Sequence, residues 1–371
     1  MPDSTLDHYA ILVGVSTYAD ASTFPRLDSP LNDVALFSQW LTAPDGGNVP
    51  ADHITTLISP PTMPEGLDLD SVPPLAEDFK KAFKKLVRNQ DGRMVARQGR
   101  LYLYFSGHGF CERKSLTPQA TLYAANATRD FPENIFGTFY AHTVRDKALF
   151  SEIVLIMDCC RDAEVNRPPD VPAINEASGA EAEQTKLFCL YAAPKGGKAV
   201  ERAIPERANH VHGLLTHAFL KALDEARPDA GRFITSASLK RHLLETWPAI
   251  CGDSPAPFPE VVTPTGFDLQ FQSRNRGIRK AFRLGSALEA AATMHVFDNT
   301  QQLVAVCHLR PVPEPSTVAW HDGAPEAMPF DGLSFSLSMH PGFYQYTIDL
   351  GGTTSKDFFA VETGGGHHVP L

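Results

Sequence analysis

Apolar and polar positions alternate in blocks along the first two thirds of the chain. Residues 9–15, Tyr-Ala-Ile-Leu-Val-Gly-Val, form a continuous apolar run that predicts a buried strand, and the runs at 53–58, 100–105, 152–157 and 186–192 read the same way. Between them lie helical patterns. One starts at Ser29-Pro30, where a proline near the first helical position precedes a periodic run. Another covers 76–89, with Phe79, Ala82, Phe83, Leu86 and Val87 on one stripe. Helices are also predicted over 213–226 and 236–247, and a closing edge strand over 267–271. Strands alternating with helices predict a mostly parallel sheet covered on both faces.

Two stretches break this rhythm. Residues 59–74 carry five prolines and read as a loop. Residues 161–185 hold three prolines and several acids without periodicity, which predicts a mobile surface loop. Past the basic residues Arg274, Arg276, Arg279, Lys280 and Arg283 the pattern changes again. Short runs at 294–297, 303–309, 333–339 and 344–350, punctuated by Pro and Gly, predict a small β-rich, Ig-like domain. The boundary is read at 275/276, giving domains over 1–275 and 276–371.

Composition narrows the function classes. A hydrophobic content of 43% with 20% charged residues is that of a soluble globular protein. The formal net charge of −10 disfavours nucleic acid as a partner, because phosphate binding needs clustered Lys and Arg, and favours a cationic peptide. The amino terminus has neither the basic nor the apolar region of a secretory signal, and no run of about 20 apolar residues predicts a membrane span. The reading is a cytoplasmic protein. Six cysteines in 371 residues do not make a disulfide framework, and Cys111, Cys189, Cys251 and Cys307 read as small buried hydrophobes.

The chemistry sits where two of the apolar runs end. His108 follows the run at 100–105 in Tyr104-Phe105-Ser106-Gly107-His108-Gly109, and Cys160 follows Ile153-Val154-Leu155-Ile156-Met157-Asp158-Cys159. A thiolate is the reactive form of cysteine, and a nearby imidazole supplies both the base that generates it and the proton for a leaving amine. Strand alternation places Asp158 and Cys160 on one face and Cys159 on the other, so Cys160 is the candidate nucleophile.

These pieces, with Leu27 to Val34 and the segment Gly213-Leu214-Leu215-Thr216-His217-Ala218-Phe219-Leu220, resemble the caspase and metacaspase family of cysteine peptidases in its prokaryotic branch. The resemblance covers roughly residues 8–272, and the His-to-Cys spacing is near the ~50 expected for caspases. It implies a three-layer α/β/α sandwich with a His108–Cys160 dyad and an oxyanion hole from the amides of Gly109 and Cys160. It also implies a pocket for the residue preceding the cut formed by Asp33, Ser106 and Asp158. Two carboxylates in a desolvated pocket favour Arg or Lys and reject Asp. The chain departs from the metacaspase pattern in two places: Asp158-Cys159-Cys160-Arg161-Asp162-Ala163 replaces Asp-Ser-Cys-His-Ser-Gly, and Ser29-Pro30 replaces Gly-Cys.

With a basic preference, Arg161, Arg167 and Lys186 become candidate self-cleavage positions. No cofactor is required by the sequence. Calcium is common among metacaspase-like enzymes, but no Asp-x-Asp-x-Asp-Gly loop appears, so the metal question stays open. The resemblance further implies a regulated effector in a stress, cell-death or anti-phage defence pathway, with an activating ligand or protein at the β-rich tail. A silent caspase-fold scaffold and a nucleotide-gated adaptor are the alternatives.

Overall fold

The structure is a computed structural model and describes residues 7–44, 46–63, 66, 68–114, 118–164, 180–226, 233–254, 256–263, 268–272, 278–299, 301–320, 325–339, 342–350, 352–361 and 369–371. The chain divides into two compact units, one of Met1–Leu223 with Thr235–Phe271 and one of Asp224–Ile234 with Gln272–Leu371.

In the first unit the strands of the main sheet are β1 (Tyr9–Gly14), β2 (Ile54–Ile58), β3 (Arg100–Gly107), β4 (Glu152–Cys159), β5 (Lys186–Tyr191) and β6 (Glu260–Val262). They form one sheet in the order β6-β5-β4-β3-β1-β2. All pairs are parallel except β6 with β5. The strand expected over 267–271 does not close this sheet. The edge is the three-residue β6 instead, too short and too close to prolines to register as a periodic run.

Helices α1 (Ser29–Thr42), α2 (Ala76–Val87), α3 (Gly137–Asp146), α4 (Leu214–Glu225) and α5 (Ser236–Cys251) complete the unit. Alternation along β3 sorts its side chains onto two faces. Phe105 meets Phe79 of α2 at 5.4 Å between ring centroids, and Phe79 meets Tyr140 of α3 at 4.7 Å. On the other face Tyr104 stacks on Phe37 of α1 at 4.8 Å, and Phe37 lies 6.2 Å from Phe219 of α4. Helices therefore cover both faces, and β3 is buried along its whole length. Helix α5 runs beyond the expected stop at 247 despite Pro248. The guanidinium of Arg202 accounts for the extension by bonding the terminal carbonyls of Ile250 and Cys251, which a helix end otherwise leaves without partners.

The described strands of the second unit form a three-stranded sheet, Ser334–Met339, Ile278–Arg283 and Val369–Pro370, and a six-stranded one running from Glu326–Met328 to Thr353–Val361. Phe282, Met294, Val296, Cys307, Phe335, Leu337 and Ile348 are buried in their common core. The unit is β-rich, as the short alternating runs predicted. Among the described residues no helix is long and apolar enough to cross a membrane.

Candidate functional site

Register between β3 and β4 sets the site. Ser106 stands opposite Asp158 and Gly107 opposite Cys159, so the two strands release their chains at His108 and Cys160 side by side. This is the carboxyl end of a parallel sheet, where ligands bind in open α/β folds. Gly107, with φ of +153°, makes the turn, and the hydroxyl of Tyr18 lies 2.7 Å from where a side-chain carbon would stand.

His108 is half-buried and held from three directions. Its backbone N–H donates to the Tyr18 hydroxyl at 2.7 Å, its ring lies 5.2 Å from that of Tyr18 and 6.0 Å from that of Phe24, and its Nε2 is 2.7 Å from the Pro25 carbonyl. A carbonyl only accepts, so Nε2 carries the proton and Nδ1 keeps the lone pair of a neutral imidazole. Burial holds the His108 pKa below its ordinary value, with the Pro25 bond, Glu201 and Asp162 opposing. The Pro25 carbonyl supplies the third orienting group, which the sequence did not identify.

Cys160 is the half-buried thiol of the adjacent pair, whereas Cys159 is fully buried in the core beside Leu155 and Met157. Alternation had placed them so. The sulfur of Cys159 presses on Gly109, where an added side-chain carbon would meet it at 2.6 Å. Cys160 Sγ points to the Ala199 carbonyl at 4.0 Å, and burial raises its pKa, against the Ala199 contact and Lys198. Among the described residues no hydrogen bond joins this thiol to His108. Burial therefore acts against a thiolate–imidazolium pair at both groups.

Asp33, Ser106 and Asp158 come together, but as interior groups. Asp33 is fully buried and accepts from Gly213 N at 3.0 and 3.2 Å and from Ser106 Oγ at 3.4 Å. Its Oδ1 is 2.8 Å from His212 Nδ1. Asp158 accepts from Thr216 N at 3.0 Å and Thr216 Oγ1 at 2.7 Å, and Tyr104 stands behind that hydroxyl at 2.7 Å. Burial pushes the Asp158 pKa up to about 7 and that of Asp33 well above the carboxylate range, with Asp33 and Glu201 adding like charge at Asp158 and Glu201 adding it at Asp33.

The sequence reading missed two members of this cluster. Glu201 opens the strand Glu201–Ile204, and its carboxylate takes the backbone N–H groups of Asp28 and Ser29 at 3.2 and 2.9 Å where α1 begins. His212 lies in the partner strand His210–Gly213. Both are more than 165 residues from Asp33 in the chain, and only the fold brings them there.

The candidate cleavage positions differ in placement. Arg161 is not in a surface loop. It is 1% exposed, bonds the carbonyls of Gln119 and Ala193 and the carboxylate of Glu260, and lies 4.6 Å over the Tyr191 ring. Its backbone pairs with Gly196 and Gly197, which fixes the chain immediately after Cys160. The segment expected to be loop from 161 instead starts with a strand, Asp162–Glu164, paired with Phe110–Glu112. Lys186 is the first residue of β5 and pairs with Glu152 at 3.1 Å. Arg167 lies outside the described residues. Among the described residues no group of three or more His, Cys, Asp or Glu side chains forms a metal site.

Comparison with known proteins agrees with this geometry. The Caspase domain family matches residues 7–243. A probable protease from a Desulfuromonadales bacterium is 25% identical over 244 residues, 59% of this chain and 26% of that protein, so the match spans about a quarter of the relative. Since the family match takes in well over half of the chain, from β1 through the strand ends bearing His108 and Cys160 to α5, this chain belongs to the caspase domain family of cysteine peptidases.

Proposed function

We propose that the first unit is an endopeptidase of the metacaspase type that cleaves after Arg or Lys through Cys160 and His108. The observation carrying this reading is the release of both residues from neighbouring strand ends, with the imidazole tautomer fixed by the Pro25 carbonyl.

In the proposed cycle Nδ1 of His108 takes the Cys160 proton as the sulfur attacks the substrate carbonyl. The oxyanion is met by the amides of Gly109 and Cys160. His108 then gives that proton to the departing amine, leaving an acyl-thioester, and activates a water to hydrolyse it. A basic side chain enters toward Asp33, Asp158 and Glu201, whose mutual repulsion a cation would relieve.

Turnover of matched peptides ending in Arg, Lys or Asp, by wild type and Cys160→Ala, tests the reading. Arg or Lys cleavage lost in the variant supports it, and Asp cleavage overturns the pocket. The contact of Cys160 with Ala199 and its raised pKa favour a second reading, a silent scaffold. That scaffold would not be labelled by an Arg chloromethyl ketone under any condition.

The remaining expectations belong to the same proposal. The second unit is an Ig-like module that takes an activating ligand or protein, and the whole acts in the cytoplasm as an effector of stress, cell death or antiviral defence. Arg167 and Lys186 are the self-cleavage candidates retained, and calcium dependence is settled by assay with and without the ion.

A further inference from the structure

Resting on the basic-pocket reading, we propose that His212 is a specificity-determining residue, a resident imidazole that shares Asp33 with the incoming substrate side chain and makes acceptance of a cation conditional on loss of a proton. The carboxylates that would receive an Arg or Lys are already engaged from within. The dipeptide His212-Gly213 is wedged between them. Gly213 N–H bridges both oxygens of Asp33, and a side-chain carbon on Gly213 would stand only 2.7 Å from the Asp158 carboxyl carbon. Asp33 also takes side-chain hydrogen bonds from Ser29 and Ser106, and its one titratable side-chain partner among the described residues is the His212 ring, at 2.8 Å and buried with it.

The hairpin is locked in this position. Asn32 of α1 donates to the Val211 carbonyl at 3.0 Å, Glu201 binds the first backbone N–H groups of α1, and Leu214 N donates to the Val200 carbonyl at 2.9 Å. An arriving cation therefore meets the imidazole rather than an empty acidic hole.

The charged and titratable groups around His212 come from each neighbouring element. Asp33 lies on α1, Asp158 at the end of β4, Arg207 in the turn of the hairpin and His217 on α4, while Glu201 acts on both acids. Burial and Arg207 lower the His212 pKa while burial raises that of Asp33, and both shifts favour a hydrogen bond that shares one proton over an ion pair at this 2.8 Å contact. A neutral pair offers no net charge to a guanidinium. Once the shared proton leaves, the pair carries one negative charge and attracts it.

The test compares a peptide ending in Arg with its neutral isostere ending in citrulline, from pH 6 to 8.5, for wild type, His212→Gln and His212→Asn. Either amide donates to Asp33 without holding a proton, and the two lengths guard against one variant failing to fold. The expected result is a wild-type Arg-over-citrulline ratio of kcat/KM that climbs about tenfold with pH, one proton's worth of linkage. In the variants the amide N–H bonds the ionised carboxylate, so the ratio should start higher and climb less than in wild type, with the change in KM rather than kcat. A variant ratio that climbs as in wild type, or that falls at every pH, overturns the role of His212 while leaving the basic pocket standing. Equal cleavage of both peptides at every pH by all three proteins overturns the pocket reading and the proposal together.

Discussion

The two ends of strands β3 and β4 carry opposite electrostatics within one sheet. At the amino end Arg100 and Glu152 face each other in register and pair at 2.6 Å, with Lys186 on the same carboxylate at 3.1 Å and Tyr102 on the guanidinium at 3.0 Å. Burial alone would raise the Glu152 pKa, yet Arg100 and Lys186 take it below its ordinary value. At the carboxyl end Asp33 and Asp158 are buried without a lysine or arginine in contact among the described residues, and both pKa values rise. One end pairs its buried carboxylate with two cations, and the other gathers carboxyl groups that burial drives toward the neutral form. Perturbed groups of that kind gather where a protein binds or reacts rather than where it is merely held together.

The comparison is broken most forcefully at the thiols. Cys160→Ala is expected to reduce peptide turnover on the order of 10⁴-fold or more, while Cys159→Ala, which removes a buried sulfur packed beside Gly109, should keep turnover within a few-fold. Equal losses in both would remove the distinction between the half-exposed and the buried thiol.

Glu152→Ala probes the opposite end. It strips the carboxylate from Arg100, whose side chain is 9% exposed, and is expected to cost about 3 kcal/mol in urea unfolding. Activity of the folded fraction should hold. A loss of kcat larger than the loss of stability would mean that the two ends are not separable.

Removing one hydroxyl refines the catalytic end. Tyr18→Phe leaves the His108 backbone N–H without its partner, at about 1–3 kcal/mol, and should lower kcat roughly tenfold while circular dichroism stays unchanged. Unchanged kcat would show that Pro25 alone positions the ring.

The pH dependence of stability separates the two ends by sign, since they predict opposite slopes. Asp158 titrates near 7 when folded and near ~3.9 when unfolded, so between those values the folded chain holds a proton that the unfolded chain has lost. Stability from this group is therefore full below about pH 4 and falls as pH rises toward 7. Glu152, with its folded pKa lowered, behaves in reverse: its contribution is present above its unfolded value of ~4.3 and is lost as pH falls through the folded one. Asp158→Asn should raise Tm at pH 8 relative to wild type and leave it little changed at pH 4, in thermal melts at the two pH values. An equal shift at both would show that burial of the charge is not the cause.

How far the site could be read in advance depended on where each group sits in the chain. His108 and Cys160 were legible because each follows an apolar run, and a strand end is a local property of sequence. The choice of Cys160 over Cys159 followed from the Asp-x-Cys resemblance together with two-residue alternation. The Pro25 carbonyl left no trace, since a backbone acceptor has no side chain to recognise. Glu201 and His212 lie in an ordinary hairpin, and nothing local marks them as neighbours of Asp33. Arg161 was misread for a physical reason: a charged residue beside prolines and acids has the composition of a loop, and only contact with Tyr191 and Glu260 turns it into a buried anchor.

By itself the sequence determined the alternation of strand and helix, the two strand ends that bear His108 and Cys160 and the opposite placement of neighbouring side chains, because periodicity depends on near neighbours along the chain. Tertiary structure alone decided the contact of the imidazole with the Pro25 carbonyl, that of the thiol with Ala199 and the occupation of Asp33 by His212. Those properties come from burial and from groups brought together across 39, 83 and 179 residues of chain, which no local pattern records.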